Sequence, residues 1–374
     1  MVQNKIYQNF LKKIFKLFLI TLLSLSLIAL TIRAVSFLEL IVESGYPLVT
    51  YFKYSLLNLF GIIPKFIPLS FFLALLIFSV RHLRENDFVI LWTSGIKKIQ
   101  ITNLLLFSSV IIVLINLIFS TTITPSALNK SRQLLSSNYY NSFLPTIRAQ
   151  QFNDTFNNFT FFVEKKIDNE IQNIFLYDKG NNLRNLSSNS SSTKSTTILA
   201  KTGIVGKKNL ILFNGEIISE KKDFSNEIIK FQQLNINLSN FNTATIKEAK
   251  IQETSTFKLF KCFSEKNKSH KYCNENFKKE IFPTLNRRLV MPFYIPILTL
   301  ISSILLINSK KFYFNKSGVF IYGIIILLFS ELIVRLTGVN NYVLWSFLIF
   351  PLVVLPSVYI FLIRKFSRES IKNE

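Results

Sequence analysis

Six apolar runs dominate the two ends of this chain: residues 17–32, 61–80 and 99–120, then 289–307, 318–336 and 342–363. Runs of ~20 apolar residues match the thickness of a bilayer's hydrocarbon core when coiled as helix. In hydrocarbon every backbone N–H and C=O must be satisfied within the segment, so each run is expected to be helical. Only 17% of the residues are charged and 49% are hydrophobic, which is far from soluble composition. The expected fold class is a membrane α-helical protein of six transmembrane helices, three plus three, with one long segment inserted between the two sets.

Residues 1–16 carry Lys5, Lys12, Lys13 and Lys16, and the apolar run behind them is long and lacks a small-residue cleavage site. This reads as a first span with a cytoplasmic N-terminus rather than a signal peptide. Arg33 follows, then Glu39 and Glu43, before the Gly45-Tyr46-Pro47 turn. A charge at mid-bilayer costs about 2.5–3.5 kcal/mol, so Arg33 belongs near the outer interface, either snorkelling or facing a polar cavity. Residues 48–60 read as an interfacial helix, and Pro64 and Pro68 mark the outer end of the second span. Pro125 is expected to end the third.

Between residues 121 and 285 the apolar period shifts from 3.6 to 2. Residues 159–166, 171–178, 197–205, 210–218 and 227–238 read as strands. Asn214-Gly215 is a hairpin signal, and the Asn- and Ser-rich stretch 181–197 reads as a flexible loop. Many short strands suggest a β-sandwich, jelly roll or open barrel. The expected domains are 1–120, carrying helices 1–3 with a cytoplasmic coupling helix at about 84–96; 121–285, the β domain; and 286–374, carrying helices 4–6 and a tail.

The net charge of +23 does not indicate nucleic-acid binding. The middle segment carries two thirds of the acids, and the outer cations sit at span ends. Lys and Arg cluster at 5–16, 81–98, 310–316 and 364–372. By the positive-inside rule both termini are cytoplasmic and the β domain lies on the other face, the periplasm of a double-membrane bacterium. That compartment permits a Cys262–Cys273 disulfide. Two His and two Cys with no CxxC spacing offer no metal site.

There is no GxxxxGK[ST], GxSxG or HExxH, and no constellation for acid–base or nucleophilic catalysis. What remains are ionisable residues in or beside spans: Arg33, Lys65, Arg287, Arg288, Glu331 and Arg335. Intramembrane charge is a functional hypothesis by default. Glu331 and Arg335, four apart, are placed to pair within one helix or to leave Arg335 for an anionic ligand. Arg287 and Arg288 read as interfacial anchors.

The stretch RHLRENDFVILWTSGIKK, residues 81–98, interrupts two apolar runs with a short amphipathic helix. Phe88, Leu91, Trp92, Ile96 and Ile99 recur at helical spacing. Asn86 or Asp87 caps its start, and Gly95 ends or bends it.

Three spans on either side of a β domain resemble the LptF/LptG lipopolysaccharide-export permeases, and the resemblance implies that the inserted all-β domain is jelly-roll-like. The matching blocks are RAVSFLELIVESGYP, FIPLSFFLALLIFSVRHL, RENDFVILWTSGIKK, TPSALNKSRQLL, FNDTFNNFTFFVEK and LNRRLVMPFY. They cover nearly the whole chain and are closer to the LptF half. Similar proteins carry an Ala-rich coupling helix with an acid followed by an Arg-Ala-Ala-Gly-like run; here Trp92 replaces the basic residue. The resemblance implies no catalysis and no cofactor in this chain, with ATP used by a separate cytoplasmic ABC ATPase dimer of LptB type. It implies an LptG-type permease partner, an LptC-type bridge protein, membrane lipids, and lipopolysaccharide as cargo. The ATPase contact falls on Asp87 ahead of Glu85, with Phe88, Trp92 and Gly95. Arg33 leads the lipid-binding candidates, then Arg335, Lys53 and Lys65. Alternatives are another ABC-type envelope permease, an envelope-synthesis enzyme, for which no catalytic set assembles, and a passive scaffold.

Overall fold

The computed structural model describes residues 2–42, 46–138, 147, 149–156, 158–179, 183, 193–206, 209–221, 226–237, 250–264, 275–307 and 316–371. They form two compact units: Met1–Thr31, Asn58–Asn129 and Lys250–Glu374 in one, Ile32–Leu57 and Lys130–Ala249 in the other.

The helices in chain order are α1 (Val2–Phe37), α2 (Glu39–Val42), α3 (Leu48–Arg84), α4 (Asp87–Thr93), α5 (Lys98–Ile118), α6 (Thr124–Asn138), α7 (Thr256–Ser264), α8 (Glu275–Leu289), α9 (Ile295–Ser303), α10 (Lys316–Leu336) and α11 (Asn341–Ile371). Among the described residues five helical stretches are long and apolar enough to cross a membrane. A sixth arises if the pair Lys279–Leu289 and Met291–Leu306, bent by 46°, is one span.

Two expectations about helix ends are corrected. Residues 48–60 are no separate interfacial helix: α3 runs unbroken for 37 residues through Pro64 and Pro68, about 55 Å of helix at 1.5 Å per residue. Nor does Pro125 end the third span. After α5 one π-helical turn, Phe119–Ile123, leads straight into α6. Pro125 sits in the first turn of α6, where a missing N–H is tolerated.

At four of the prolines a side-chain hydroxyl takes the carbonyl that the proline leaves unpaired. Pro64 frees the carbonyl of Phe60, which accepts from Thr124 Oγ1 at 2.7 Å. Pro125 frees that of Thr121, which accepts from Thr256 Oγ1 at 2.9 Å. Pro292 frees that of Arg288, which accepts from Ser120 Oγ at 2.9 Å. Pro351 frees that of Phe347, which accepts from the Tyr294 hydroxyl at 3.2 Å.

One helical core gathers Ile14, Phe18, Phe71, Phe78, Phe88, Ile101, Leu105, Ile295 and Leu362. Another gathers Phe72, Tyr294, Ile297, Leu298, Val319, Val334 and Phe347. α9 is the centre: each of its nine residues is buried, against α5, α10 and α11.

The second unit holds a six-stranded antiparallel sheet in sequence order: β1 (Asn153–Phe156), β2 (Phe159–Ile167), β3 (Glu170–Asp178), β4 (Thr193–Val205), β5 (Asn209–Lys221) and β6 (Asn226–Asn237). Five of these match the period-2 segments of the sequence; β1 does not. Phe159, Phe161, Val163, Ile198, Leu212 and Ile217 line its buried face. A tight hairpin falls at Asp168-Asn169, between the paired Ile167 and Glu170. Asn214-Gly215 is not a hairpin but lies inside β5. Asn214 is left-handed (φ 52°), yet pairing with β4 and β6 keeps one register on both sides of it. A Cβ on Gly215 would stand 2.2 Å from the Leu199 carbonyl oxygen, so close strand approach demands this glycine.

Candidate functional site

The segment joining α3 to α5 is built as a docked lever. α3 ends at Arg84, Asn86 turns left-handed (φ 61°) without a side-chain cap, and Asp87 opens α4. Gly95 at φ +92° ends it. Its N–H donates to Trp92 O at 3.1 Å and the Ile96 N–H to Leu91 O at 3.0 Å, the paired bonds of a Schellman close. Ile96 is buried beneath it.

Phe88, expected at a partner contact, is fully buried among Phe10, Phe78 and His82. It anchors the helix. Trp92 stacks on Phe88 with centroids 6.2 Å apart. Lys98 Nζ lies 4.5 Å over the indole and pairs with Glu369 at 2.7 Å, so α4, α5 and α11 are tied together. The outward face belongs to residues that sequence reasoning did not single out: Val89, Thr93 and Ile90, the last 63% exposed. A cleft of about 420 Å³ beside it is lined by Lys5, Ile6, Asn9, Phe10, Asp87, Ile90 and Leu91.

His82 was also missed. It is 2% exposed. Its Nδ1 lies 2.8 Å from the Phe78 carbonyl and its Nε2 3.3 Å from Lys13 Nζ. A carbonyl only accepts and an ammonium only donates, so Nδ1 carries the hydrogen and Nε2 the lone pair. Asp87 Oδ2 stands 3.7 Å from the same Nε2. Lys13, His82 and Asp87 thus connect α1, the end of α3 and the start of α4. Glu85 is held by Arg81 at 2.9 Å, and the hydrogen bond from Arg81 keeps its carboxyl below the usual carboxylate range.

The lipid-binding candidates are dispersed. In the strand-bearing unit Arg33 and Lys53 are exposed. The Tyr51 hydroxyl donates to the Ala34 carbonyl at 3.0 Å, and Phe37 meets Tyr54 edge-on, which fixes the backbone beside Arg33. In the helical unit Arg335 is exposed on α10. Glu331 does not pair with it; its partner is Arg287. Arg288 is no interfacial anchor either. It is buried, and its guanidinium donates to the carbonyls of Thr254 and Gln252, both at 2.9 Å, and lies 3.0 Å from Thr256 Oγ1. Lys65, Arg287 and Glu331 line a cavity of about 460 Å³ between α3, α5, α8 and α10. Cys273 lies outside the described residues, as does the Cys262 side chain.

These elements define a multi-pass helical membrane protein that carries a β domain and a short docked helix between two of its spans. The model of the lipopolysaccharide export system permease LptF/LptG family matches residues 9–365. The chain belongs to this family of transporter components. It is also 30% identical over 176 residues to an uncharacterized protein of Rickettsia prowazekii (strain Madrid E); the match covers 46% of this chain and about half, 48%, of that protein.

Proposed function

We propose that this chain is the LptF-like permease subunit of an ABC exporter that lifts lipopolysaccharide from the outer leaflet of the inner membrane to a periplasmic bridge. The observation that carries this reading is α4, anchored from below by Phe88 and Trp92 while Ile90 and Val89 face outward. A soluble ATPase gripping that apolar face would pull on α3 and α5 together, because both α4 ends are fixed. The cation clusters beside α4 and at both termini support a cytoplasmic face for it. In this reading an LptB-type ATPase dimer closes on the lever, and an LptG-type chain completes a lateral cavity with the first and fifth spans.

Those two spans, α1 and α10, expose apolar stripes: Leu19, Leu23 and Leu27 on one, Ile321, Ile325, Leu328 and Leu332 on the other. Of the candidates for the cargo's phosphates Arg33 ranks first, then Arg335 and Lys53. The sheet then receives the lipid in the periplasm. Among the described residues β6 pairs with β5 alone, an edge-strand position of the kind at which a partner, here an LptC-type one, adds a strand.

Asp87→Lys tests the lever. It reverses the charge beside His82 and Lys13 and is expected to abolish copurification of the ATPase and lipid-stimulated ATP hydrolysis, with the chain still in the membrane. Retained assembly and transport would remove the proposal.

A further inference from the structure

The cavity beside α3 has a polarity of its own. α3 and α10 touch where Gly323 faces Phe72; a Cβ on that glycine would lie 2.0 Å from the ring. Away from this floor the helices part and the cavity of about 460 Å³ opens. Leu69 on α3 and Ile324 on α10 line it next to the floor. Lys65 stands one helical turn above Leu69 and Glu331 two turns above Ile324, with Arg287 paired to Glu331. The depth is therefore apolar and the mouth charged. Among the described lining residues Glu331 is the one acid, against Lys65, Arg287 and Arg288.

Apart from Gln252, the lining residues lie in helices long and apolar enough to span a bilayer, singly or as part of the bent pair. The volume lies within the ~300–1,000 Å³ of small-ligand sites, room for one alkyl chain and not for the several of a lipopolysaccharide. An apolar pocket with a cationic mouth inside a bilayer matches one class of molecule in charge and shape. We propose that this cavity seats one acyl chain of a membrane glycerophospholipid whose phosphate lies against Lys65 and Arg287. The lipid would be a fixed part of the permease rather than its cargo.

Photo-crosslinking in living cells tests this. A photoreactive residue replaces Leu69 in the full chain, and adducts are identified by mass. A second probe at Leu352, three-quarters exposed on α11, reports bulk lipid. The expected adduct at Leu69 is glycerophospholipid, falling roughly tenfold in Lys65→Glu, as loss of a charge-assisted contact implies, while labelling at Leu352 stays unchanged. Lys65→Arg should retain it, which separates lost charge from lost fold. A lipopolysaccharide adduct at Leu69, no adduct, or labelling indifferent to Lys65→Glu would each overturn the proposal. Loss of ATPase coupling in Asp87→Lys leaves this labelling untouched, so the two readings fail separately.

Discussion

Ser120 donates its hydroxyl to the carbonyl of Arg288, 2.9 Å away and 168 residues distant in sequence. That carbonyl lacks a helical donor because Pro292 stands four residues on. A polar group in hydrocarbon has no water to fall back on, so the hydroxyl is what lets this proline persist.

Ser120→Ala leaves that carbonyl unsatisfied at a cost of about 1–3 kcal/mol. The melting temperature of the purified protein should fall. Ser126→Ala, which removes a bond from an exposed side chain to its own helix, should leave it within error.

Phe88→Ala removes the anchor of α4, a change of the kind that costs about 3–5 kcal/mol in a packed core. Limited proteolysis should then cut between residues 85 and 97. Ile90→Asp, on the outward face, should leave proteolysis unchanged and weaken only ATPase binding.

Gly215→Ala would drive a methyl into the Leu199 carbonyl and the Phe231 ring. The sheet should lose pairing between β4 and β5, read as faster amide exchange there. Gly206→Ala, whose new Cβ meets a neighbour at 3.1 Å, should be far milder.

Burial pushes the Tyr46 hydroxyl up from 10.0 to about 12, with a smaller contribution from Tyr54. The neutral phenol donates to the Leu135 carbonyl at 3.2 Å, and ionisation destroys that bond. The unfolded chain releases the proton first, so this stabilisation is complete below pH 10 and is lost as pH rises through about 12. An ultraviolet titration should show a tyrosine ionising near pH 12 that Tyr46→Phe deletes.

Apolar run length and the switch from period 3.6 to period 2 made the membrane class, five of the six strands and the helical spacing of Phe88 and Trp92 legible in sequence; that Phe88 points inward instead of at a partner was not. What escaped depends on partners far away in the chain. Pro64 reads as the outer end of a span and Pro125 as a helix end, because the hydroxyls of Thr124 and Thr256 that repair them lie 64 and 135 residues from the carbonyls they rescue. Asn214-Gly215 has the local chemistry of a turn, and only the neighbouring strands show that the glycine is there for closeness. Glu331 and Arg335 have ideal spacing for each other, yet Arg287 comes nearer from another helix. A lone His82 gives no periodic signal, although it joins three helices.

The buried α9 also bears on biogenesis. A helix walled on all sides reaches its resting place only when its walls exist, and α10 and α11 are synthesised after it. Until the last hairpin inserts, this short pillar faces lipid or translocation machinery with Thr299, Ser302 and Ser303 uncovered. Truncation before residue 316 should therefore strand the pillar and expose the chain to membrane quality control, however well the first three helices have settled.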